Sequence, residues 1–307
     1  MTRTMKVLRL RSGSIAHCNS TVNCSRMHLD LTKTILLCPK NDEESVLILQ
    51  IAKSAGIPTV VSPQEHGAKL ELEKDLEERL KKANPQASTI VIVETPGPER
   101  EQELEKAGYE VIIIDHHRYE GLNRMKQESS LDQFLVLFEL DDAKLEELGF
   151  DPFLVKGIGM MDRGWVWELA KEGIEKADRK RIMDYYQSLL EDMGGLKTGD
   201  VESARTAWDG REVRDGVIIV RSTSNDPAVH IRQALSSILA ENFDEPPVTL
   251  VVEGNGRIAV QDTDKATKLH EKFGGYVFGK DLCWGFAPTV ERPAPSVGSI
   301  LKVLVSA

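Results

Sequence analysis

Short apolar runs alternate with amphipathic stretches from Lys33 to about Gly194. The apolar runs are rich in β-branched residues and predict strands at 34–37, 57–61, 89–93 and 110–114. The stretches between them repeat apolar residues at helical spacing and predict helices at 44–55, 70–82 and 99–107. This alternation is typical of a parallel sheet that helices cover on both faces.

A helical region at 130–193 follows, and a second, smaller set of elements comes after it. In that set we predict strands at 217–220, 248–252 and 257–261 and helices at 228–242 and 264–273. The predicted fold class is α/β, with a parallel-sheet domain, its flanking helices and a smaller C-terminal α/β domain. The predicted boundaries are an N-terminal arm at 1–33, a first domain at 34–194, a linker at 195–215 and a second domain at 216–307.

The composition is that of a water-soluble globular protein, with 41% hydrophobic and 29% charged residues. No run of about 20 apolar residues occurs, so we expect no membrane-spanning helix and no membrane partner. The arm at 1–33 is basic and lacks the apolar segment of a secretory signal, and Met27 is an alternative start. Four dispersed cysteines favour a reducing cytoplasm as the compartment.

The arm contains four residues of types that bind zinc, namely His17, Cys18, Cys24 and His28. Their spacing matches no standard zinc finger. A loose arm is therefore the preferred interpretation, and a zinc site there is the weaker alternative.

Negative charge is concentrated in the middle of the chain. The net charge is −10 for the whole protein and −13 for residues 34–196. A surface of that sign repels a phosphate backbone, so long duplex DNA is not an expected partner. Clustered carboxylates do suit divalent cations.

The most informative segment follows the strand predicted at 110–114. It delivers Asp115, His116 and His117 to the carboxyl end of a parallel sheet, where open α/β sheets place their ligands. Three such residues also occur as ordinary turn residues, so the triplet alone is a weak signal.

Further residues at ordered positions strengthen that signal. Cys38, Asp42 and Glu44 follow the first strand, Glu94 ends the strand at 89–93, and Asp162 lies in the helical region. With the triplet, this order resembles the DHH phosphoesterase family. In that family the first strand ends in His-x-x-x-Asp-x-Asp, a second strand ends in Asp, the DHH triplet comes next, and a lone Asp lies in a later helix.

The resemblance implies two divalent cations, usually Mn²⁺, and a water activated to attack phosphorus. It implies that Asp42 binds the first cation, that Glu44, His116 and Asp162 bind the second, and that Glu94 bridges them. It also implies that Asp115 orients His116 through the other ring nitrogen and that His117 faces the substrate phosphate.

Three positions depart from the family pattern. Glu44 and Glu94 stand where the family has Asp, and the added methylene moves the carboxylate oxygens. Cys38 stands where the family has His. A thiolate there favours Zn²⁺ or Fe²⁺, whereas a buried thiol binds nothing, and both interpretations stay open, as does the choice between two cations and one.

The C-terminal part offers a second point of resemblance. The segment at 273–279 resembles a worn form of the glycine-rich GGGH segment in the DHH-associated substrate domain, without its histidine. Gly274 and Gly275 there are candidate phosphate-binding residues, or simply turn residues that need a positive φ. Arg221 and Arg257 are candidate phosphate clamps, although Arg more often forms surface ion pairs.

The aromatic residues beside Asp162 have two interpretations. Trp165 and Trp167 offer flat faces on which a nucleobase stacks. Packing in the core behind Asp162 is the preferred interpretation of both.

Two functional hypotheses follow. The first is a metal-dependent phosphoesterase, hence a hydrolase, that acts on a phosphodiester or phosphoanhydride bond in a small nucleotide, a short oligonucleotide or a single-stranded nucleic acid. The second is a non-catalytic relative that binds nucleotides or serves as an assembly module, like relatives that act as scaffolds in DNA replication. A homodimer is an open alternative for its assembly.

Overall fold

The computed structural model describes residues 29–65, 67–119, 121–193, 198–224, 226, 229–279 and 281–306. The four residues of the arm that were considered as zinc ligands lie outside these ranges. Within them, no helix combines the length and the hydropathy needed to cross a membrane.

The first part of the chain builds a four-stranded parallel sheet. In chain order its elements are β1 (Thr34–Pro39), α1 (Glu43–Ser54), β2 (Thr59–Ser62), α2 (Leu76–Ala83), β3 (Thr89–Val93), α3 (Pro98–Lys106) and β4 (Glu110–Ile114). The strand order is β2-β1-β3-β4, and every pairing is parallel. All four strands therefore end at the same edge of the sheet.

A short hairpin and four helices follow the sheet. They are β5 (Arg118–Tyr119), β6 (Leu122–Asn123), α4 (Ser130–Leu137), α5 (Asp142–Glu147), α6 (Pro152–Lys171) and α7 (Lys176–Met193). Helix α6 is broken in its middle, because Gly164 (φ −163°, ψ 23°) and Trp165 (φ 64°, ψ −170°) leave the helical region. The break comes two residues after Asp162.

The last part of the chain forms a second, six-stranded sheet. Its elements are α8 (Thr198–Asp209), β7 (Glu212–Arg214), β8 (Val217–Arg221), α9 (Ile231–Asn242), β9 (Thr249–Val252), β10 (Ile258–Gln261), α10 (Ala266–Phe273), β11 (Tyr276–Phe278), β12 (Cys283–Phe286) and α11 (Val297–Leu304). The strand order is β11-β12-β10-β9-β8-β7, with only the β8–β9 pairing parallel.

Side-chain alternation along the strands explains the layers. On β1, Leu36 and Cys38 face a core shared with α1, α4, α6 and α7, whereas Ile35 and Leu37 face α2 and α3. The second sheet also has two buried faces. On one face Val220 belongs to the large core that also contains α9, and the other face of the sheet packs on α10 and α11. One continuous apolar core therefore lies between the two sheets.

The predicted fold class is confirmed: a parallel sheet with flanking helices is joined to a smaller C-terminal sheet. Strands β3 and β4 have the predicted bounds. The helix predicted at 70–82 is wrong in its first part, which is a 3-10 turn at Leu70–Leu72, since Asp75 at φ 52° separates it from α2. The described part of the predicted linker at 195–215 contains α8 and β7, and the domain boundaries stay a prediction.

Candidate metal centre

Register brings the polar residues after β3 and β4 side by side. Val93 pairs with Ile114, and the N–H of Glu94 donates to the carbonyl of Ile114 at 3.0 Å. Glu94 and Asp115 are the next residues on the two strands, so the triplet at 115–117 and the Glu94 carboxylate emerge at one edge of the sheet. Asp42, which follows β1, is the N-cap of α1 at the same edge.

Four of the predicted metal-binding residues converge there. Each of Glu44, Glu94, His116 and Asp162 offers one ligand atom, and these atoms all lie within 4.8 Å of one another. His116 Nε2 is 2.7 Å from Asp162 Oδ2 and 3.4 Å from Glu94 Oε1. The four residues come from α1, the end of β3, the end of β4 and α6, so the tertiary fold alone brings them together.

His117 extends the cluster on its more exposed side. Glu94, His116 and His117 form a second set within 4.8 Å, and His117 Nδ1 lies 3.6 Å from Glu94 Oε1. Glu94 and His116 belong to both sets. The central position of Glu94 agrees with the bridging role that the resemblance implies, and that role stays a prediction.

The charges of the cluster do not balance within the protein. Burial raises the pKa of Asp42 to about 7, and repulsion by Glu94 adds to the shift. Burial also raises the pKa of Glu44 well above its ordinary value, together with repulsion by Asp162 and Glu94. Burial lowers the pKa of His116, but the Asp162 and Glu94 carboxylates outweigh it and raise that pKa to about 10. A proton on His116 thus offsets part of the negative charge.

These residues fit a divalent cation. Glu44 is held in place because its Oε1 accepts a hydrogen bond of 2.8 Å from the N–H of Leu131. Its Oε2 is buried and has no hydrogen-bond partner among the described residues, an arrangement that is costly unless a ligand uses the atom. Three carboxylates and one imidazole within reach of one ion form a mainly hard, oxygen-rich donor set that suits Mn²⁺ or a similar cation.

Two predicted ligands lie outside both sets. Asp42 caps α1, and its Oδ1 accepts a hydrogen bond of 2.7 Å from the N–H of Ser45. Cys38 is wholly buried on β1, and its thiol lies 3.4 Å from the carbonyl of Pro39. The thiol belongs to the buried core, and a Zn²⁺ or Fe²⁺ ion held by Cys38 stays a prediction.

Asp115 differs from its predicted role. Its Oδ1 accepts a hydrogen bond of 2.9 Å from the N–H of His117 and lies 3.3 Å from His117 Nδ1. Among the described residues it makes no hydrogen bond to His116, which it was expected to orient. The contact is an Asx turn, in which an Asp side chain accepts a hydrogen bond from the backbone N–H two residues later.

Several residues that support the cluster escaped the sequence analysis. Ser130 Oγ donates a hydrogen bond of 2.7 Å to Glu94 Oε1. Arg124 Nη1 lies 3.8 Å from Asp115 Oδ2, and its other terminal nitrogen binds Glu101. The only sequence signal for Ser130 is that it follows Ser129, which begins α4 with a capping box.

The predicted substrate-side residues belong to the second sheet. Arg221 Nε lies 3.7 Å from Glu212, and Arg257 is exposed at the turn before β10. Neither makes a hydrogen bond or an ion pair with the cluster among the described residues. A Cβ on Gly275 would lie 2.3 Å from the carbonyl oxygen of Gly285, and Gly274 has φ 71°, so close packing favours glycine at the first position and backbone conformation at the second. Phosphate binding by these two glycines stays a prediction.

A pocket of about 110 Å³ opens beside the cluster. Its lining is Glu43, Glu44, Ile158, Met161, Asp162, Trp165 and Tyr186. Trp165 meets Tyr186 edge to face with 5.5 Å between ring centroids, and its φ and ψ lie in a region that side chains rarely tolerate. Trp167 packs in the core, in agreement with the preferred interpretation of its sequence position. Trp165 is only partly buried and forms one wall of the pocket.

Comparisons with known proteins give structural likeness only. No protein-family model matches the chain, and no curated protein matches it. One similar solved structure is the exonuclease RecJ bound to manganese, with 16% identity, 83% of this chain and 85% of that chain covered, and a TM-score of 0.36.

Two further similar structures have low identity. The pGpG-specific phosphodiesterase PggH from Vibrio cholerae has 11% identity, covers 88% of this chain and 97% of its own, and has a TM-score of 0.40. An uncharacterized protein from Helicobacter pylori G27 has 12% identity, the same coverages of 88% and 97%, and a TM-score of 0.28.

Proposed function

We propose that this chain is a metal-dependent phosphoesterase of the DHH type. The observation that carries the proposal is the convergence of Glu44, Glu94, His116 and Asp162 to within 4.8 Å. Their order along the sequence is the order of the family motif, and the fold unites them at the carboxyl edge of a parallel sheet, where such sheets bind ligands.

In this proposal the four residues hold one divalent cation, and Mn²⁺ is the ion we favour. When bound, that ion polarises a phosphoryl oxygen and lowers the pKa of a water. Glu44, Glu94 and Asp162 supply the carboxylate oxygens, and His116 binds through its ring nitrogen after it loses its proton. His117, with 46% of its side chain exposed and its ring nitrogen beside Asp115, donates a hydrogen bond to the substrate phosphate.

The proposed substrate is a small nucleotide, a short oligonucleotide or a single-stranded nucleic acid. The net charge of −13 on residues 34–196 argues against long duplex DNA. Gly274, Gly275, Arg221 and Arg257 stay proposals as phosphate contacts. The two described cysteines, Cys38 and Cys283, are free thiols, which suits the predicted reducing cytoplasm.

One observation favours the second candidate, a relative that binds metal or nucleotide without turnover. Asp42 and Cys38, two of the three residues matched to the first motif, lie outside both sets of converging atoms. A chain with one complete cation site lacks the second cation that the family resemblance implies. Nucleotide binding or an assembly role then replaces hydrolysis.

Metal analysis combined with turnover separates the two candidates. Purified wild type is loaded with Mn²⁺, its metal content is measured, and product release is followed on a panel of short oligonucleotides and cyclic dinucleotides. The phosphoesterase proposal predicts bound metal and Mn²⁺-dependent release that His116→Ala abolishes and the exposed control His270→Ala retains. Bound metal without release from any substrate supports the non-catalytic candidate, and absence of bound metal contradicts the phosphoesterase proposal.

A further inference from the structure

A second pocket lies between α7, α8 and α9, apart from the metal centre. Its lining includes Lys176, Arg179, Lys180, Met183, Arg205 and Ile238. It has a volume of about 260 Å³ and is open to solvent on one side, so it has room for a small ligand. The two pockets are separate, because no residue of this lining belongs to the pocket beside the metal centre.

Arg179 in the wall of this pocket has fewer partners than a buried guanidinium needs. The residue is 7% exposed, and one terminal nitrogen, Nη2, donates to Asp244 Oδ1 at 3.1 Å. Its Nε and Nη1 have no hydrogen-bond partner among the described residues. The single acidic partner has a side chain that is 84% exposed, so it holds the guanidinium from the solvent side. A buried Arg with unused N–H groups is a strong site for an oxyanion.

Other cations line the same pocket. Lys176, Lys180 and Arg205 add three positive charges to that of Arg179. The lining also contains two acids, Asp184 and Glu241. Lys180 Nζ donates hydrogen bonds of 2.7 and 2.9 Å to the two carboxylate oxygens of Asp184. The protein as a whole carries a net charge of −10, so the sign of the charge in this pocket is opposite to that of the whole protein. Helix α7 begins at Lys176, and the positive end of its dipole adds to the field.

An apolar surface completes the pocket. Met183 from α7, Val201 from α8 and Ile238 from α9 line it together with three alanines. An inorganic anion uses none of that surface, whereas a phosphate attached to a base or another apolar group uses both parts.

We propose that this pocket binds a small organic phosphate, of the size and chemistry of a nucleoside monophosphate. Its phosphate group binds Arg179 and the rim cations Lys176 and Arg205, and its apolar part lies against Met183 and Ile238. This site goes beyond the proposed phosphoesterase function, because it uses none of the residues of the metal centre.

Isothermal titration calorimetry with AMP, and separately with inorganic phosphate, tests the proposal on the full chain in EDTA. The chelator keeps cations from recruiting phosphate to the metal centre. We expect AMP to bind with a 1:1 stoichiometry and more tightly than inorganic phosphate. The exposed double variant Lys176→Ala/Arg205→Ala is expected to weaken AMP binding by about 10-fold or more, since each lost charged hydrogen bond has roughly that effect.

The matched control is Lys268→Ala, which removes an exposed positive charge from α10 and is expected to change the affinity by less than about twofold. His116→Ala is expected to bind AMP as wild type does. Three results would overturn the proposal: no binding of AMP, equal affinity for AMP and inorganic phosphate, or unchanged AMP affinity in the double variant. Loss of AMP binding in His116→Ala would also overturn it, by placing the ligand at the metal centre.

Discussion

The hydroxyl of Ser130 donates a 2.7 Å hydrogen bond to Glu94 Oε1, the same oxygen that faces His116 and His117. Glu94 adopts a left-handed backbone conformation with φ 45°, which is unusual for a residue with a side chain. Ser130 therefore fixes the direction of a carboxylate whose backbone is already constrained. Fixing a metal ligand in this way strengthens the site without any direct contact with the cation.

We expect Ser130→Ala to weaken Mn²⁺ binding by about 10- to 100-fold, the usual effect of removing a group that orients a metal ligand. Calorimetric titration with Mn²⁺ measures the change. Ser188→Ala is the control, because the hydroxyl of Ser188 is exposed and donates only to the carbonyl of Tyr185 at 2.7 Å. Equal Mn²⁺ affinities in both variants would show that Ser130 does not orient Glu94.

Glu44→Gln is expected to separate stability from metal binding. Burial and repulsion by Asp162 and Glu94 raise the pKa of Glu44, so this carboxyl group destabilises the folded protein when no metal is bound. A neutral amide of the same shape removes that cost. We expect the free energy of unfolding in EDTA to rise by about 0.5–2 kcal/mol, a common gain when a functional residue is neutralised. Mn²⁺ is expected no longer to stabilise this variant, whereas it stabilises wild type and the exposed control Glu78→Gln. Denaturant titrations with Mn²⁺ and with EDTA test both statements.

Asp262 predicts a pH dependence of stability outside the metal centre. Burial raises the pKa of Asp262 to about 6, against the opposing hydrogen bond from Trp167. Because the folded-state pKa lies above the ordinary value of 3.8, the contribution of Asp262 to stability is fully present below pH 3.8 and is lost as the pH rises through about 6. Asp262→Asn is therefore expected to stabilise the protein by about 1–2 kcal/mol at pH 8, after allowance for solvent screening, and by almost nothing at pH 4.

Thermal unfolding of wild type and Asp262→Asn from pH 4 to pH 8 measures this effect. Asparagine tolerates the φ of 60° at this position, so the substitution adds no backbone strain. The control is Asp264→Asn, whose carboxylate belongs to a side chain that is 80% exposed. A constant stability difference across the pH range would contradict the prediction.

Gly275 and Gly274 are expected to respond differently to substitution by alanine. At Gly275 the added Cβ would meet a backbone oxygen at 2.3 Å, and at Gly274 it would meet only the mobile end of Arg292 at 3.2 Å. Both positions have positive φ, so both variants lose some stability, but Gly275→Ala is expected to lose about 2–4 kcal/mol and Gly274→Ala about 1 kcal/mol. Urea denaturation measures the two losses. Similar losses would mean that the approach of β11 to β12 does not depend on Gly275.

The sequence predicted the part of the site that depends on strand ends and on order along the chain. Strands that end together deliver Glu94 and His116 to one edge whatever their side-chain details, and the resemblance to the DHH family motif added Glu44 and Asp162. The direction in which each side chain points could not be predicted from the sequence. Cys38 turns into the core because alternation on β1 puts it on the face packed by α1, and that face is set by the tertiary fold.

Partners that come from distant elements were equally hidden. The pairing of Asp115 with His117 depends on the bend of the chain after β4, and the hydrogen bond between Ser130 and Glu94 joins residues far apart in sequence. Helix α8 was missed because its polar, glycine-containing sequence has the composition of a linker. Packing against α9 stabilises this helix, and the sequence of α8 alone does not predict that contact.

The buried thiol on β1 gives the native chain a built-in reporter of opening. Burial raises the pKa of Cys38 well above its ordinary value, so at neutral pH it is almost entirely a protonated thiol, which alkylating reagents attack poorly. Such a reagent reaches it only when the strand separates from α1. The alkylation rate of Cys38 therefore reports how often β1 separates from α1 beneath the metal centre. A cation that binds only while β1 and α1 are packed together slows that rate.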